Sequence, residues 1–386
     1  MSKKLFFFAG EASGDQHASV MIRKIKESEP ETEIVCWGGD LMQAAGATLL
    51  SHYRDRNVMG LIEVLKNLRT IRRFMHQARE DILSHRPDKV VFVDNPGFNL
   101  PLAKYAHSLG IFVHWYIAPK AWAWNEGRIK TMRKVIDQLD VIFPFEVEFF
   151  TSRGMPCTYV GNPTLEFIQG FRGSGFGDRG SGFGSQVSGD RFQGADHRPR
   201  TTDYGLSTTD HGLQTIALLP GSRPNEVQHL LPIFVKTAQT YSPSARIVIA
   251  GAPSLSEDFY QNILTAHHLN ADILFQSTHQ ILHEASISGG YALVASGTAT
   301  LETALHRVPQ IVAYRVHPVT YWVGKYLLGI KHVSLVNILL KRELIEEHLQ
   351  NLTIPTLSAA LDRLSKNRTQ ILSGYDELEG MLTLGQ

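Results

Sequence analysis

Short apolar runs that each end in a turn and lead into a helical pattern recur along both halves of this chain. A continuous apolar run is typical of a strand that is buried on both faces of a parallel sheet. Strands that alternate with helices predict parallel βαβ units with right-handed crossovers. The sequence therefore predicts an α/β protein with two Rossmann-like, doubly wound parallel-sheet domains that face each other across a cleft. The predicted strands span residues 5–9, 34–37, 89–93, 111–116 and 140–143 in the first half, and 215–219, 246–250, 291–295 and 310–314 in the second.

A glycine- and serine-rich segment separates the two halves. Residues 172–177 read Arg-Gly-Ser-Gly-Phe-Gly and the motif recurs at 179–184, with little apolar content that could support a core. We therefore expect a flexible insertion or linker over 170–213, between an N-terminal Rossmann-like domain over 1–169 and a C-terminal domain over 214–341. Residues 342–386 have a helical pattern and could cross back to the N-terminal domain.

Composition and motif content exclude several functions. The 386 residues carry a formal net charge of +1, so we expect no nucleic-acid partner, although Arg/Gly/Phe repeats can bind RNA. Cys36 and Cys157 lack CxxC spacing and the histidines form no HExxH motif, so the sequence gives no metal signal. Two cysteines suit a reducing compartment, and no apolar stretch approaches the roughly 20 residues needed to span a bilayer. We expect a cytoplasmic protein that at most lies on a membrane surface.

Polar residues follow the first and third predicted strands, where ligands bind in open parallel sheets. The loop from Gly10 to Asp15 combines a glycine, which lets the backbone approach a ligand, with the start of a helix. Glu11 and Asp15 would repel a phosphate and suit sugar hydroxyls better, but Ser13 or Asp15 could instead cap the helix. Asp94 ends the third strand, where it could accept a proton from an attacking hydroxyl or cap the next helix.

The first loop of the second half has groups that suit a phosphate. Gly221 frees the backbone, Ser222 can cap a helix, and Arg223 offers a bidentate fork. Such groups would stabilise the negative charge that develops on a diphosphate leaving group. The alternative is a surface arginine near a helix start.

A later loop of the second half opens a helix with small residues. Ser296, Gly297 and Thr298 present backbone N–H groups that could hold an anion. Glu302 lies one turn into the helix and could bind ribose hydroxyls. A capping box that begins at Thr298 is the alternative for this loop.

Seven segments form one combined pattern over nearly the whole chain, apart from 170–213. In this order they resemble the bacterial lipid-A-disaccharide synthases, a family of inverting glycosyltransferases with the GT-B fold. Each segment alone is unspecific, but the ensemble is highly specific. The segments are Ala9-Gly10-Glu11-Ala12-Ser13-Gly14-Asp15, Val58-Met59-Gly60 with Glu63-Val64-Leu65, Asp94 with Pro96 and Phe98-Asn99, Pro119 with Ala121-Trp122-Ala123-Trp124, Leu218 to Arg223, Ser296 to Glu302, and Ser334-Leu335 with Asn337.

The resemblance implies a reaction and roles for residues. A UDP-linked 2,3-diacylglucosamine would donate its sugar to 2,3-diacylglucosamine 1-phosphate, without metal or other cofactor. The products would be the β-1,6-linked tetraacyl disaccharide 1-phosphate of lipid A biosynthesis and UDP. The resemblance leaves a homodimer open. It implies Asp94 as general base, Arg223 as the essential phosphate-side arginine, Glu11 and Asn337 as further active-site residues, and Glu302 with residues 296–298 in the UDP-binding region.

Two features depart from the family pattern. Gly161-Asn162-Pro163 stands where many members have Gly-His-Pro. Asparagine can hydrogen-bond but cannot carry charge, which puts an acid–base role at this position in doubt. The 170–213 insertion should lie at the hinge and could alter domain closure.

Acylated substrates imply contact with the cytoplasmic face of the inner membrane. A basic amphipathic helix can lie on an anionic bilayer, although such a helix can equally face the core of its own domain. Trp122 and Trp124 could lie at the interface, line an acyl groove or pack in the core. The expected apolar face consists of Val58, Met59, Leu61, Ile62, Leu65 and Leu68, with Lys66, Arg69, Arg72 and Arg73 nearby.

Two other functions remain open at the level of sequence. One is a different GT-B enzyme, such as a UDP-GlcNAc 2-epimerase or a glycosyltransferase with a soluble acceptor. The other is a non-catalytic carrier of a nucleotide sugar or a lipid, which would have no need of Asp94.

Overall fold

A computed structural model of the chain describes residues 3–56, 68–124, 126–173, 213–275, 278–295, 297–314, 332–349 and 352–383. Every structural statement below concerns these residues. Most of the expected membrane-facing helix, Ser296 and most of the 170–213 segment lie outside them.

The first half forms a seven-stranded parallel sheet. Its strands are β1 (Lys4–Ala9), β2 (Glu33–Gly38), β3 (Thr48–His52), β4 (Lys89–Val93), β5 (Phe112–Tyr116), β6 (Gln138–Val141) and β7 (Thr158–Tyr159). Their order across the sheet is β3-β2-β1-β4-β5-β6-β7. The chain order therefore reverses between β1 and β4, and ligands bind outside the carboxyl ends of strands at such a switch point.

The second half forms a six-stranded parallel sheet whose strand order also reverses once. Its strands are β8 (Thr215–Leu219), β9 (Arg246–Gly251), β10 (Asp272–Phe275), β11 (Tyr291–Val294), β12 (Gln310–Tyr314) and β13 (Glu347–Leu349). Because the order is β10-β9-β8-β11-β12-β13, this switch point lies between β8 and β11. The predicted fold class of two doubly wound sheets is confirmed.

Helices connect the strands of both sheets. Among those formed by the described residues, none is long and apolar enough to cross a bilayer. They are α1 (Ala12–Ser28), α2 (Asp40–Ala44), α3 (Leu68–His85), α4 (Pro96–Ser108), α5 (Ala121–Trp124), α6 (Ile129–Val135), α7 (Pro144–Thr151), α8 (Pro163–Gly173), α9 (Pro224–Tyr241), α10 (Glu257–Ala266), α11 (Thr278–Ile287), α12 (Thr298–Leu305), α13 (Leu335–Leu340), α14 (Ile354–Lys366) and α15 (Arg368–Thr383), with 3₁₀ turns at Tyr53–Arg56 and Glu126–Arg128.

The central strands lie where the apolar runs predict them, with two corrections. The fifth strand ends at Val141 rather than at residue 143, because the N–H groups of Ile142 and Phe143 both donate to the Glu146 carboxylate at the start of α7. The tail is not wholly helical, because β13 pairs with β12 before α14 begins.

Alternating side chains of the central strands fill both faces of the first sheet. Phe6 and Phe8 stack on one face with ring centroids 4.4 Å apart, while Phe7 packs on the other. Phe8 also stacks on Phe92 of the neighbouring strand at 5.4 Å. This packing fixes the carboxyl ends of β1 and β4, from which the polar loops start.

The last helix contacts residues of the first half. The Tyr159 hydroxyl donates a hydrogen bond of 2.6 Å to the carbonyl of Leu382, and Arg172 pairs with Glu379 at 3.0 Å. These contacts join the C-terminal segment to the end of the first sheet. The boundaries at 169, 213 and 341 stay predictions.

Candidate active site

Glu11 and Asp94 lie on the two sides of the first switch point. Ala9 and Val93 are register partners at the ends of β1 and β4, and each acidic residue follows within two positions. Glu11 occupies the N-cap of α1, but its side chain makes no capping hydrogen bond. The first sheet thus presents two carboxylates at the place where its fold binds ligands.

The turn that carries Asp94 has a strained backbone, which a buried side chain stabilises. Asp94 and Asn95 both adopt left-handed backbone conformations, with φ of 43° and 44°. Left-handed non-glycine residues are costly and persist where the surrounding structure fixes them. The buried Asn99 supplies that restraint, since its amide donates to the carbonyl of Asp94 at 2.9 Å and to that of Val93 at 3.3 Å.

Gly10 allows close packing at this turn. A Cβ on Gly10 would collide with the Asn95 amide group, so the loop after β1 passes directly against the turn after β4. The two loops therefore form one continuous surface.

The two carboxyl groups of this surface have raised pKa values. Burial raises the pKa of Asp94, and the nearby Lys120 ammonium opposes the rise. Glu11 remains accessible to water, but the surrounding protein and then the Asp94 charge raise its pKa, while Arg223 and Lys120 lower it. A carboxylate with a raised pKa is a stronger general base.

The second switch point carries two loops with unusual backbone. Gly221 after β8 has φ of 107° and Gly297 after β11 has φ of 113°, both in a region that only glycine adopts readily. Arg223 is the N-cap residue of α9, with its side chain 53% exposed, and Gly297 is the N-cap of α12. Two helix starts therefore meet at one sheet edge, an arrangement that favours an anion.

Glu302 is a half-buried carboxyl group on the second turn of α12. Burial raises its pKa to about 7. None of the described residues donates a hydrogen bond to its side chain. Hydrogen-bond donors stabilise a half-buried carboxylate, so this group is suited to accept hydroxyl groups of a ligand.

Charges from the two sheets meet at Glu11. Arg223 and Glu226 follow β8 in the second half, yet both alter the pKa of Glu11 together with Asp94 and Lys120 from the first half. Glu11 therefore lies near enough to Asp94 of the first half and to Arg223 of the second half for both charges to alter its pKa. A base on one side and a guanidinium with helix starts on the other can deprotonate a hydroxyl and stabilise a departing anion.

Asp15 has structural contacts instead of an open position. Its buried carboxylate accepts hydrogen bonds from the backbone N–H groups of Gly39, Leu41 and Met42, at 2.9, 3.2 and 3.0 Å. It therefore caps α2 rather than its own helix. Burial raises its pKa and these hydrogen bonds oppose the rise. Any contribution of Asp15 to ligand binding is through the loop that it holds.

Asn337 and Asn162 are also fully buried and bonded to the protein. Asn337 joins α13 to the segment before β13 through four hydrogen bonds. Asn162 donates to the carbonyl of Ile142 and accepts from the N–H groups of Thr164 and Leu165, which caps α8. At the position where many family members have histidine, this chain has a capping residue.

The remaining predicted site residues are distributed around the cleft loops. Ser13, Ser222 and Thr298 are exposed at the starts of α1, α9 and α12, whereas Ser296 lies outside the described residues. Trp122 packs edge-on against Phe145, with ring centroids 5.0 Å apart. The other expected aromatic, Trp124, has a side chain outside the described residues.

The structure also shows polar residues that sequence analysis did not identify. Lys120 lies near both acidic residues, Glu226 pairs with Arg223, and Asn99 holds the Asp94 turn. Asn99 is part of a family-like motif, which could have marked it. Glu146, with a pKa that burial raises to about 7, accepts the Trp122 indole N–H at 2.8 Å beside Lys120. Among the residues described, no group of histidine, cysteine or acidic side chains is arranged to hold a metal ion.

Solved structures with the same architecture define the class of fold. The chain superposes on the UDP-GlcNAc 2-epimerase of Neisseria meningitidis with a TM-score of 0.58 and 10% identity, covering 97% of this chain and 94% of that one. The calicheamicin glycosyltransferase CalG4 gives 0.55 and 12% identity, covering 100% and 95%. This protein therefore has the GT-B fold of two Rossmann-like domains.

Sequence comparison identifies the family within that fold. The profile of the lipid-A-disaccharide synthetase family matches residues 5–176 and 196–373. The lipid-A-disaccharide synthase of Myxococcus xanthus is 31% identical over 386 residues, covering 98% of this chain and 93% of the relative. That of Syntrophus aciditrophicus is 33% identical over 363 residues, covering 93% and 87%. The chain belongs to the lipid-A-disaccharide synthase family.

Proposed function

We propose that this protein transfers the sugar of UDP-2,3-diacylglucosamine to 2,3-diacylglucosamine 1-phosphate, with inversion at the anomeric carbon. The products are the β-1,6-linked tetraacyl disaccharide 1-phosphate and UDP. Family membership supports the reaction. The observation that supports the residue assignment is that Asp94 of the first half and Arg223 of the second half both alter the pKa of Glu11.

Asp94 acts as the general base in this proposal. It takes the proton of the acceptor 6-hydroxyl as that oxygen bonds to the anomeric carbon of the donor. The bond from that carbon to the diphosphate breaks on the opposite face, and UDP leaves with the electron pair. Glu11 lies beside Asp94 and orients the acceptor hydroxyls, while Gly10 and Ser13 line the same loop.

Arg223 and the two helix starts receive the diphosphate charge. The N–H groups around Gly221 and Ser222 bind the leaving group together with those of Gly297 and Thr298, at the ends of the adjacent strands β8 and β11. Glu302 accepts the ribose hydroxyls. Asp15 and Asn337 support the loops from behind, which is the role that their buried hydrogen bonds favour.

The test is a purified assay with both acylated substrates and no added metal, read out as UDP and disaccharide by mass spectrometry. Asp94→Asn should lower kcat about 100- to 10,000-fold, the usual contribution of a general base. Asp258→Asn, at an exposed position on α10, is the matched control and should retain full rate. Full activity of Asp94→Asn would refute the base assignment, and conversion of UDP-GlcNAc to its epimer without acceptor would indicate an epimerase instead.

We further propose that the protein works on the cytoplasmic face of the inner membrane, where its acylated substrates reside. Arg69, Arg72 and Arg73 are exposed on the first turns of α3, directly after the expected membrane-facing segment. Arginines so placed attract an anionic bilayer. Flotation with vesicles that contain an anionic phospholipid should therefore recover the protein, and a triple Gln variant should float less. Equal recovery of both would count against this surface.

A further inference from the structure

Arg223 does not stand alone at the cleft. Its Nη1 donates a hydrogen bond of 3.1 Å to Oε1 of Glu226, in the first turn of the same helix. The same carboxylate oxygen accepts the hydroxyl of Tyr314 at 3.3 Å, from the end of β12. The Glu226 side chain is 19% exposed while that of Arg223 is 53% exposed. The carboxylate thus lies behind the guanidinium and supports it from the protein side.

The backbone of the neighbouring loop is shaped around the same carboxylate. A Cβ on Gly221 would come within 2.5 Å of Oε2 of Glu226. Glycine at this position therefore serves two needs, a backbone φ of 107° and room for the Glu226 carboxylate. Both carboxylate oxygens of Glu226 therefore have defined surroundings. Oε1 accepts hydrogen bonds from Arg223 and Tyr314, and Oε2 packs against Gly221, which has no side chain.

A carboxylate at a diphosphate site needs a physical explanation, because it repels the ligand. An exposed arginine loses rotamer entropy when a ligand holds its side chain in one orientation. A charge-assisted hydrogen bond from a fixed carboxylate removes that freedom before the ligand arrives. The guanidinium uses one donor on Glu226 and also interacts with the Tyr314 hydroxyl, which leaves further N–H donors for the ligand.

We propose that Glu226, braced by Tyr314, is a positioning residue that holds Arg223 in the orientation in which its guanidinium meets the leaving diphosphate. This inference rests on the proposed function and deepens it. It separates two effects of Glu226 on the reaction. The carboxylate promotes the step in which charge develops on the diphosphate, but its own charge weakens the binding of free UDP.

The test compares Glu226→Gln with Glu257→Gln, an exposed first-turn glutamate of the next helix. For each variant kcat and KM are measured with both acylated substrates, and the Kd of UDP is measured by calorimetry. Glu226→Gln should lower kcat about 10- to 30-fold, since a neutral amide holds the guanidinium less firmly. It should bind UDP as tightly as the unchanged protein or more tightly. Tyr314→Phe should lower kcat less, because the carboxylate remains.

Two results would overturn the proposal. The first is a kcat of Glu226→Gln within twofold of the unchanged protein. The second is a loss of UDP affinity in proportion to the loss of kcat, which indicates a general structural role. Failure of the proposed function itself has a different signature, because the unchanged protein would then release no UDP from these substrates. The Glu226 inference would fall with it.

Discussion

Asn337 provides the sharpest test of which predicted site residues act on a ligand and which support the fold. Its amide group donates to the carbonyl of Ile345 and to the Glu347 carboxylate, both at 2.8 Å. Its carbonyl oxygen accepts the N–H groups of Leu344 at 2.8 Å and of Ile345 at 3.1 Å. Both donors and both lone pairs of a fully buried side chain are therefore satisfied by protein.

The cost of removing this side chain follows from those four bonds. A hydrogen bond contributes about 1 kcal/mol net, and more where a buried partner is left unsatisfied. Asn337→Ala should thus destabilise the loop before β13 by about 3–5 kcal/mol. Asn337→Asp keeps the acceptor but places a second carboxylate against Glu347. Repulsion between two adjacent carboxylates favours the protonated form of one of them and so raises its pKa in the folded state. The Asn337→Asp variant should therefore lose stability as pH rises and regain it as pH falls.

Hydrogen exchange at the Leu344 and Ile345 amides is the appropriate assay, since it reports the local opening directly. Both amides should exchange at least a hundredfold faster in Asn337→Ala, while the exposed Asn262→Ala changes nothing. In Asn337→Ala the rate of UDP release should fall only in proportion to the fraction of molecules in which this loop is open. Unchanged exchange together with abolished UDP release would refute this reasoning and make Asn337 a ligand contact.

Three further predictions address charges near the cleft. Lys120 lowers the pKa of Asp94, so in the proposed mechanism Lys120→Met should move the acid limb of the kcat/KM profile to higher pH, while Lys120→Arg should not. Burial raises the pKa of Glu302 to about 7, and the proposed function has this residue bind ribose as the carboxylate, so UDP affinity measured by calorimetry should fall below pH 7 and become independent of pH in Glu302→Gln. Asp15→Ala should lower the free energy of unfolding by about 2–4 kcal/mol in a denaturant titration, and Asp15→Asn by less, because one oxygen still accepts.

The sequence predicts the central strands well and the edge strands not at all. The four strands missing from the sequence prediction are β3, β7, β10 and β13, which lie at the two edges of each sheet. None of them is fully buried, and they are only two to five residues long. An edge strand has one neighbour and partial cover, so it needs no continuous apolar run. The signal that predicts a buried strand is absent there.

The loops of the site are predictable for a related reason. A buried strand must end where polar residues begin, and in a doubly wound sheet those ends define the ligand edge. What spacing cannot give is the direction in which each acidic side chain points. Glu11 and Asp15 stand one helical turn apart, yet Glu11 lies in the cleft and Asp15 is buried against the N–H groups of α2. Asp15 is buried because the start of α2, which follows β2, lies next to it and supplies backbone N–H donors. The sequence around Asp15 does not indicate this contact.

The electrostatic state of the cleft is a property of both halves together. The pKa of Glu11 is influenced by Asp94 after β4, by Lys120 after β5, and by Arg223 and Glu226 after β8, three segments that are distant in sequence. Arg223 and Glu226, both from the second half, shift the pKa of Glu11 in opposite directions, while burial and the Asp94 charge of the first half raise it. The ionisation of this carboxyl group therefore depends on the balance of charges from both halves, which the sequence of either half alone does not give.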